Sequence, residues 1–156
     1  MNRPDASSSF EQRFRNLIII CGALALSVVM VNAVLTFLEA SGSVQGEGLS
    51  RDVSLAIFVV CLILLVSAPG MKRGVFKQAQ AREGFESDPE ARLRAYATAT
   101  IISFALREAA GLCGFVLGLL TGNLWWSWGV GGAALIAMYA DRPRRQDLGV
   151  TIGGQP

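Results

Sequence analysis

The chain has 156 residues, of which 52% are apolar and only 17% are charged, and its mean hydropathy is +0.44. Soluble domains usually contain about 25% charged residues, so this composition indicates a protein surrounded by lipid rather than by water. The apolar content excludes a disordered chain, and the formal charge of +2, spread along the sequence, argues against binding to nucleic acid.

Four apolar stretches are predicted to form transmembrane helices, at residues 17–38, 51–69, 96–120 and 124–140. A helix rises about 1.5 Å per residue and needs about 20 residues to cross the hydrocarbon core of a bilayer. The first and third stretches reach that length alone, whereas the second and fourth need their flanking residues. The predicted fold is therefore all-α, a single integral membrane domain built as a four-helix bundle.

The ends of the shorter helices carry recognisable start and stop residues. Ser50 and Asn123 are predicted to cap the second and fourth helices. Pro69 and Gly70 are predicted to stop the second helix, and the fourth is predicted to end near Asp141.

The connections set the orientation of the bundle. Lys and Arg number three in the N-terminal tail, six in the segment 71–95 and three in the C-terminal tail, against one in the first connection and none in the third. The positive-inside rule then places both termini and a loop at 71–95 in the cytoplasm. Within that loop, the spacing of Ser87 and Glu90 predicts a capping box at the start of the third helix. The tails, 1–10 and 145–156, are predicted to be mobile.

Helices three and four are separated only by a Thr-Gly-Asn connection, which predicts a tight antiparallel hairpin. Small residues recur on both helices at spacings of three and four, and in lipid such ridges allow backbones to approach closely. The predicted packing residues are Gly111, Gly114, Gly118, Gly129 and Gly132. The predicted anchors at the membrane interfaces are Trp125, Trp126, Trp128 and Tyr139.

Arg107 and Glu108 are adjacent near the middle of the third predicted span. An ionised group at that depth costs roughly 2.5 to 3.5 kcal/mol on insertion, so each side chain needs a polar partner. Adjacent residues on a helix point about 100° apart, so the two cannot simply face each other. Asn32 and Ser103 are the best candidates to complete an intramembrane polar element.

This polar element has three possible roles. It could fix how the bundle assembles, alone or with a second subunit. Glu108 could instead bind and release a proton during transport. The pair could also face a lipid or a partner membrane protein.

The stretch from Ala105 to Gly118 resembles the carboxylate-bearing helix of the proteolipid (c) subunits of rotary ATPases, in which a mid-membrane acid binds the transported ion. That resemblance would give Glu108 the ion-binding role, although the neighbouring Arg107 and the long loop depart from the family. The whole chain is more similar to small uncharacterised bacterial four-span inner-membrane proteins, a resemblance that implies no activity.

No histidine is present, the three cysteines are widely spaced, and the sequence lacks a phosphate-binding loop and a nucleophile elbow. We therefore expect no metal, no cofactor and no enzymatic activity. The prediction is a non-enzymatic scaffold or accessory subunit of the bacterial inner membrane, which contacts lipid and associates with itself or with a partner membrane protein. The alternative is a subunit of a proton-linked transporter or channel in which Glu108 titrates.

Overall fold

The computed structural model describes residues 6–43, 48–81 and 89–144. This part of the chain forms four α-helices and no strands. The helices are α1 (Ala6–Ala40), α2 (Arg51–Gln80), α3 (Pro89–Thr121) and α4 (Leu124–Ala140). The all-helical class predicted from the sequence is confirmed.

Three of the helices are long and apolar enough to cross a membrane, over Phe10–Ala40, Arg51–Gln80 and Glu90–Thr121. Their outward surfaces support this conclusion, because Phe37 and Val66 are 72% and 75% exposed. Water-soluble proteins rarely leave large apolar side chains exposed along whole helices. The remaining helix, α4, has 17 residues.

Helix α3 is the centre of the bundle, and it packs against each of the other three helices. Helices α1 and α4 also contact each other, whereas α1 and α2 do not meet in the described part of the chain. We call the end of the bundle that holds Gly122 the turn end, and the end that holds Asp141 the charged end. The described termini, Ala6 and Arg144, both lie at the charged end.

Two helices are longer at the charged end than the sequence predicts. Helix α1 begins at Ala6 instead of residue 17, because an apolar cluster extends beyond the predicted span. In that cluster Phe14 and Leu17 of α1 pack with Leu93 and Tyr96 of α3. Residues 6–10 of the predicted mobile N-terminal tail are therefore helical, whereas residues 1–5 and the predicted mobile C-terminal tail, 145–156, lie outside the described residues.

The predicted stop at Pro69 is wrong, because α2 continues through it to Gln80. A proline inside a helix removes one backbone hydrogen bond. Contacts beyond the proline offset that loss, since Phe76 packs against the apolar cluster and Lys72 forms an ion pair with Asp141. The predicted loop at 71–95 is accordingly reduced to the segment between Gln80 and Pro89, and Ser87 of the capping box lies outside the described residues.

The caps of the other helices differ in their chemistry. Asn123 caps α4 as predicted, because its side chain accepts a hydrogen bond of 3.0 Å from the backbone N–H of Trp125. Ser50 occupies the N-cap position of α2 without a side-chain hydrogen bond there. Gly122, with a φ of 63°, supplies the left-handed backbone conformation that joins α3 to α4.

Glycines bring α3 close to its neighbours. A Cβ atom built on Gly111 would lie 2.9 Å from Val28 Cγ1 of α1, and one built on Gly114 would lie 2.7 Å from Val130 Cβ of α4. A Cβ atom on Gly118 would meet Leu35 Cδ2 at 2.8 Å. These three predicted packing residues therefore lie where only glycine fits between the helices.

On α4 the packing glycine is Gly131, which the sequence analysis did not select. A Cβ atom there would lie 2.6 Å from Nδ2 of Asn32. The predicted packing residues Gly129 and Gly132 are wrong in this respect, because a Cβ atom on either would meet no described atom within 4 Å. The spacing rule found the glycine-rich segment but not the face of α4 that turns towards α1.

Replacing Gly114 and Gly132 by alanine should change stability in opposite directions. In Gly114→Ala the new methyl group collides with Val130, and we expect a loss of about 1 to 3 kcal/mol. In Gly132→Ala the methyl group enters open space, and the better helix former should stabilise the fold by up to about 1 kcal/mol. Thermal unfolding of both variants in mild detergent measures the difference. Equal shifts would contradict the close approach of α3 and α4.

Candidate functional site

The candidate site is built around Asp141, the residue that ends α4. Its backbone N–H donates to the carbonyl of Ala137 at 3.1 Å, so it belongs to the last turn of the helix. The C-terminus of a helix carries a partial negative charge, and a carboxylate there is unfavourable without a cation nearby. Asp141 therefore needs positively charged partners from other helices.

Two cations supply these partners. Nζ of Lys72, on α2, lies 2.6 Å from Oδ1 of Asp141, and one terminal nitrogen of Arg107, on α3, lies 2.9 Å from Oδ2. The hydroxyl of Ser103, one turn before Arg107, donates to Oδ2 at 3.2 Å. We call Lys72, Ser103, Arg107 and Asp141 the ion cluster. It joins α2, α3 and α4 at the charged end.

Arg107 is the most deeply buried charge of the cluster, with 6% of its side chain exposed, against 19% for Lys72 and 25% for Asp141. Its Nε atom is buried and has no hydrogen-bond partner among the described residues. The compensation of its charge therefore depends on Asp141. Removing the counter-charge of a buried arginine strongly destabilises the folded protein.

The environment of Asp141 keeps its carboxyl ionised. Burial raises the pKa of Asp141, but the hydrogen bond from Lys72 and the charges of Lys72 and Arg107 outweigh that effect and lower the pKa below its ordinary value. The carboxylate is consequently a fixed charge at neutral pH. The cluster is suited to holding three helices together, and not to exchanging protons.

Tyr96 covers the cluster on the side of the C-terminal segment. The ammonium of Lys72 lies 5.3 Å from the centre of its ring, which is a favourable cation–π distance. Its hydroxyl oxygen accepts a hydrogen bond of 3.3 Å from the backbone N–H of Arg144. Arg144, in the short described segment after α4, therefore contacts α3.

The predicted polar element is divided in the structure. Arg107 and Ser103 meet at Asp141, as described above. Asn32 lies elsewhere, towards the turn end, where its Oδ1 accepts a hydrogen bond of 2.6 Å from Ser127 of α4 and its Nδ2 donates to the carbonyl of Val28. Glu108 is half-buried, and no described side chain forms an ion pair or hydrogen bond with it.

The depth of Arg107 also differs from the prediction. The sequence analysis placed it near the middle of a 25-residue span, but α3 has 33 residues and Arg107 is level with the last turn of α4. Arg107 is 14 residues from the end of α3 and Asp141 is 17 residues from the start of α4, so similar rises bring them to the same height. Counting residues outwards from the turn between α3 and α4 could therefore have predicted this ion pair from the sequence.

The three tryptophans of the turn end differ in their contacts. Trp128 donates a hydrogen bond of 3.1 Å from Nε1 to Thr36, and Trp126 contacts Phe58 edge to face, with ring centres 5.1 Å apart. Trp125 is almost fully exposed. Tyr139, at the opposite end of α4, is also exposed and stacks with Arg142.

Among the described residues, no group of three or more His, Cys, Asp and Glu side chains could hold a metal ion. Comparisons of the chain with protein-family models, with curated proteins and with solved structures find no match. The function is therefore inferred from the geometry of the chain itself.

Removing the charge of Asp141 should destabilise the protein. In Asp141→Asn, Arg107 stays buried without its counter-charge, and we expect a loss of about 3 kcal/mol in the free energy of unfolding. The matched control is Asp52→Asn, an exposed acid in the first turn of α2, which should lose less than about 1 kcal/mol. Denaturant unfolding in mild detergent measures both.

A double-mutant cycle isolates the ion pair itself. If Arg107 and Asp141 stabilise each other, Arg107→Gln combined with Asp141→Asn should be less destabilising than the sum of the two single variants. Strict additivity would show that the two charges act independently and would contradict the ion cluster.

The lowered pKa of Asp141 also predicts how stability depends on pH. An aspartate with a lowered pKa stabilises the fold above its unfolded value of about 3.9, and this contribution is lost as the pH falls through the folded pKa. The difference in unfolding temperature between the wild type and Asp141→Asn should therefore be constant from about pH 7 to pH 5 and shrink below about pH 4. A difference that disappears near neutral pH would contradict this assignment.

Proposed function

We propose that the protein is a non-enzymatic membrane scaffold or accessory subunit, with four helices crossing the bilayer and both termini in the cytoplasm. Helix α4 supports a fourth crossing, because its 17 residues rise about 26 Å, the lower limit for a span. The excess of Lys and Arg at the charged end supports the orientation. In this arrangement α3 and α4 form an antiparallel hairpin.

The observation that carries this proposal is the separation of Arg107 from Glu108. Arg107 is neutralised inside the bundle by Asp141, whereas Glu108 has no such partner in the described part of the chain. The ion cluster accounts for one of these two adjacent charges, and the other is available for an interaction outside the bundle.

Glu108 borders an open face of α3. Helices α1 and α2 both pack on α3 without contacting each other in the described part of the chain, and one face of α3 is exposed. Ala105, Leu112 and Val116 on that face are exposed. Glu108 lies within one helical turn of Ala105 and of Leu112.

A carboxylate beside an exposed apolar helix face is suited to a second transmembrane helix. Small and apolar residues on that face allow close packing, and Glu108 can accept a hydrogen bond from a donor on the partner helix. Such polar contacts between helices contribute about 1 to 2 kcal/mol in lipid and select the correct partner. The partner is a second copy of the chain or another membrane protein.

The second candidate is a proton-linked carrier, and the same residue supports it. Glu108 is half-buried, and no described cation forms an ion pair with it, in contrast to Asp141. A carboxyl group in such a position can bind and release a proton during transport.

The variant Glu108→Gln separates the two candidates. For a scaffold, we expect association on mild-detergent chromatography to weaken about tenfold, with the unfolding temperature unchanged and no proton flux in vesicles to lose. Glu39→Gln, which removes an exposed carboxylate at the turn end, is the matched control and should leave association intact. A carrier should lose flux with assembly intact. If neither association nor flux depends on Glu108, both proposals are wrong.

A further inference from the structure

A cleft of about 380 Å³ opens at the charged end, next to the ion cluster and between α2 and α3. Its volume is within the range of roughly 300 to 1,000 Å³ that is typical of small-molecule sites. Pro69, Phe76 and Ala99 form an apolar part of its wall, Lys72 and Arg73 form a basic part, and Tyr96 and the carboxylate of Asp141 complete the lining.

The charges around this cleft do not balance. Lys72 and Arg107 share the single carboxylate of Asp141, so the ion cluster retains one positive charge. Arg73 adds a second, and no described acidic side chain forms an ion pair with it. The wall of the cleft itself holds two cations and one carboxylate, and that carboxylate is also paired with Arg107, which is not part of the wall. The resulting excess of positive charge at a partly enclosed site favours an anion as ligand.

The side chains of Lys72 and Arg73 can contact one anion together. The ammonium of Lys72 has three donors, of which one is used by Asp141. Arg73 is exposed and lines the same cleft, so its guanidinium is accessible. A guanidinium binds phosphate through two parallel hydrogen bonds, and an ammonium adds a point charge beside it.

The apolar part of the wall selects the kind of phosphate. A free phosphate in the cleft would not contact the apolar wall at Pro69 and Phe76. A phospholipid, by contrast, places hydrocarbon directly beside its phosphate. Basic pockets between transmembrane helices on the cytoplasmic side are suited to anionic lipid headgroups. The combination of two cations and an apolar wall therefore matches an anionic phospholipid.

We propose that this cleft binds the phosphate of an anionic phospholipid, with Lys72 and Arg73 contacting the headgroup and Phe76 contacting the adjoining acyl carbons. The site is separate from the open face of α3 and does not depend on what Glu108 binds. A lipid phosphate in this cleft would balance the excess positive charge at the charged end.

The test compares two lipids with the same acyl chains, phosphatidylglycerol, which is anionic, and phosphatidylcholine, which is zwitterionic. Their binding to the full-length protein in mild detergent is measured by native mass spectrometry. The wild type should bind phosphatidylglycerol more tightly than phosphatidylcholine. In Arg73→Gln the affinity for phosphatidylglycerol should fall about fivefold, with little change for phosphatidylcholine.

The matched control is Lys77→Gln. Lys77 lies one turn after Arg73 on α2, is exposed, and is not part of the cleft wall. Its replacement removes the same charge from the same helix and should change the affinity less than twofold. Because Arg73 is exposed and lies outside the ion cluster, its replacement should leave the unfolding temperature unchanged.

Three results would overturn the proposal. Equal losses in Arg73→Gln and Lys77→Gln would show attraction by the overall charge of the helix rather than a site. Equal affinities for the two lipids in the wild type would show that net charge is not recognised. Displacement of phosphatidylglycerol by glycerol phosphate at equal concentration would identify a free phosphate as the ligand and exclude the lipid.

Discussion

The carboxylate of Asp141 holds the charged end of the bundle together, because it forms ion pairs with Arg107 and Lys72 from two other helices. Helices α2 and α4 have few other contacts, so the ion cluster is the main link between them. Asp141 also occupies the C-cap position of α4, where the helix dipole opposes a negative charge. The two cations and the carboxylate therefore compensate for one another, and no one of them is favourable at its position without the others.

The two ends of the bundle are held by different chemistry. At the charged end, ion pairs join the helices beside an apolar cluster. At the turn end, neutral hydrogen bonds and close backbone approach take that role, with Asn32 bonded to Ser127 and pressed against Gly131. In the proposed bilayer arrangement, the neutral contacts would avoid the cost of placing charge in hydrocarbon, whereas the ion pairs lie where α4 ends.

The sequence was sufficient to predict the helical class, the Asn123 cap and the importance of Arg107, because apolar runs, caps and buried charges follow local rules. It did not predict the partner of Arg107, because that depends on how far α3 and α4 overlap. Pro69 was mistaken for a stop because helix propensity contains no information on the packing of Phe76 and Lys72. The choice between Gly131 and Gly132 similarly required knowledge of which face of α4 meets α1.

The order of the cluster along the chain has a consequence for biosynthesis. Lys72 and Arg107 are both synthesised before Asp141, which follows the last helix. During translation the two cations remain without their shared counter-charge until α4 has left the ribosome. A chain that stops short of residue 141 lacks the carboxylate that both basic side chains share.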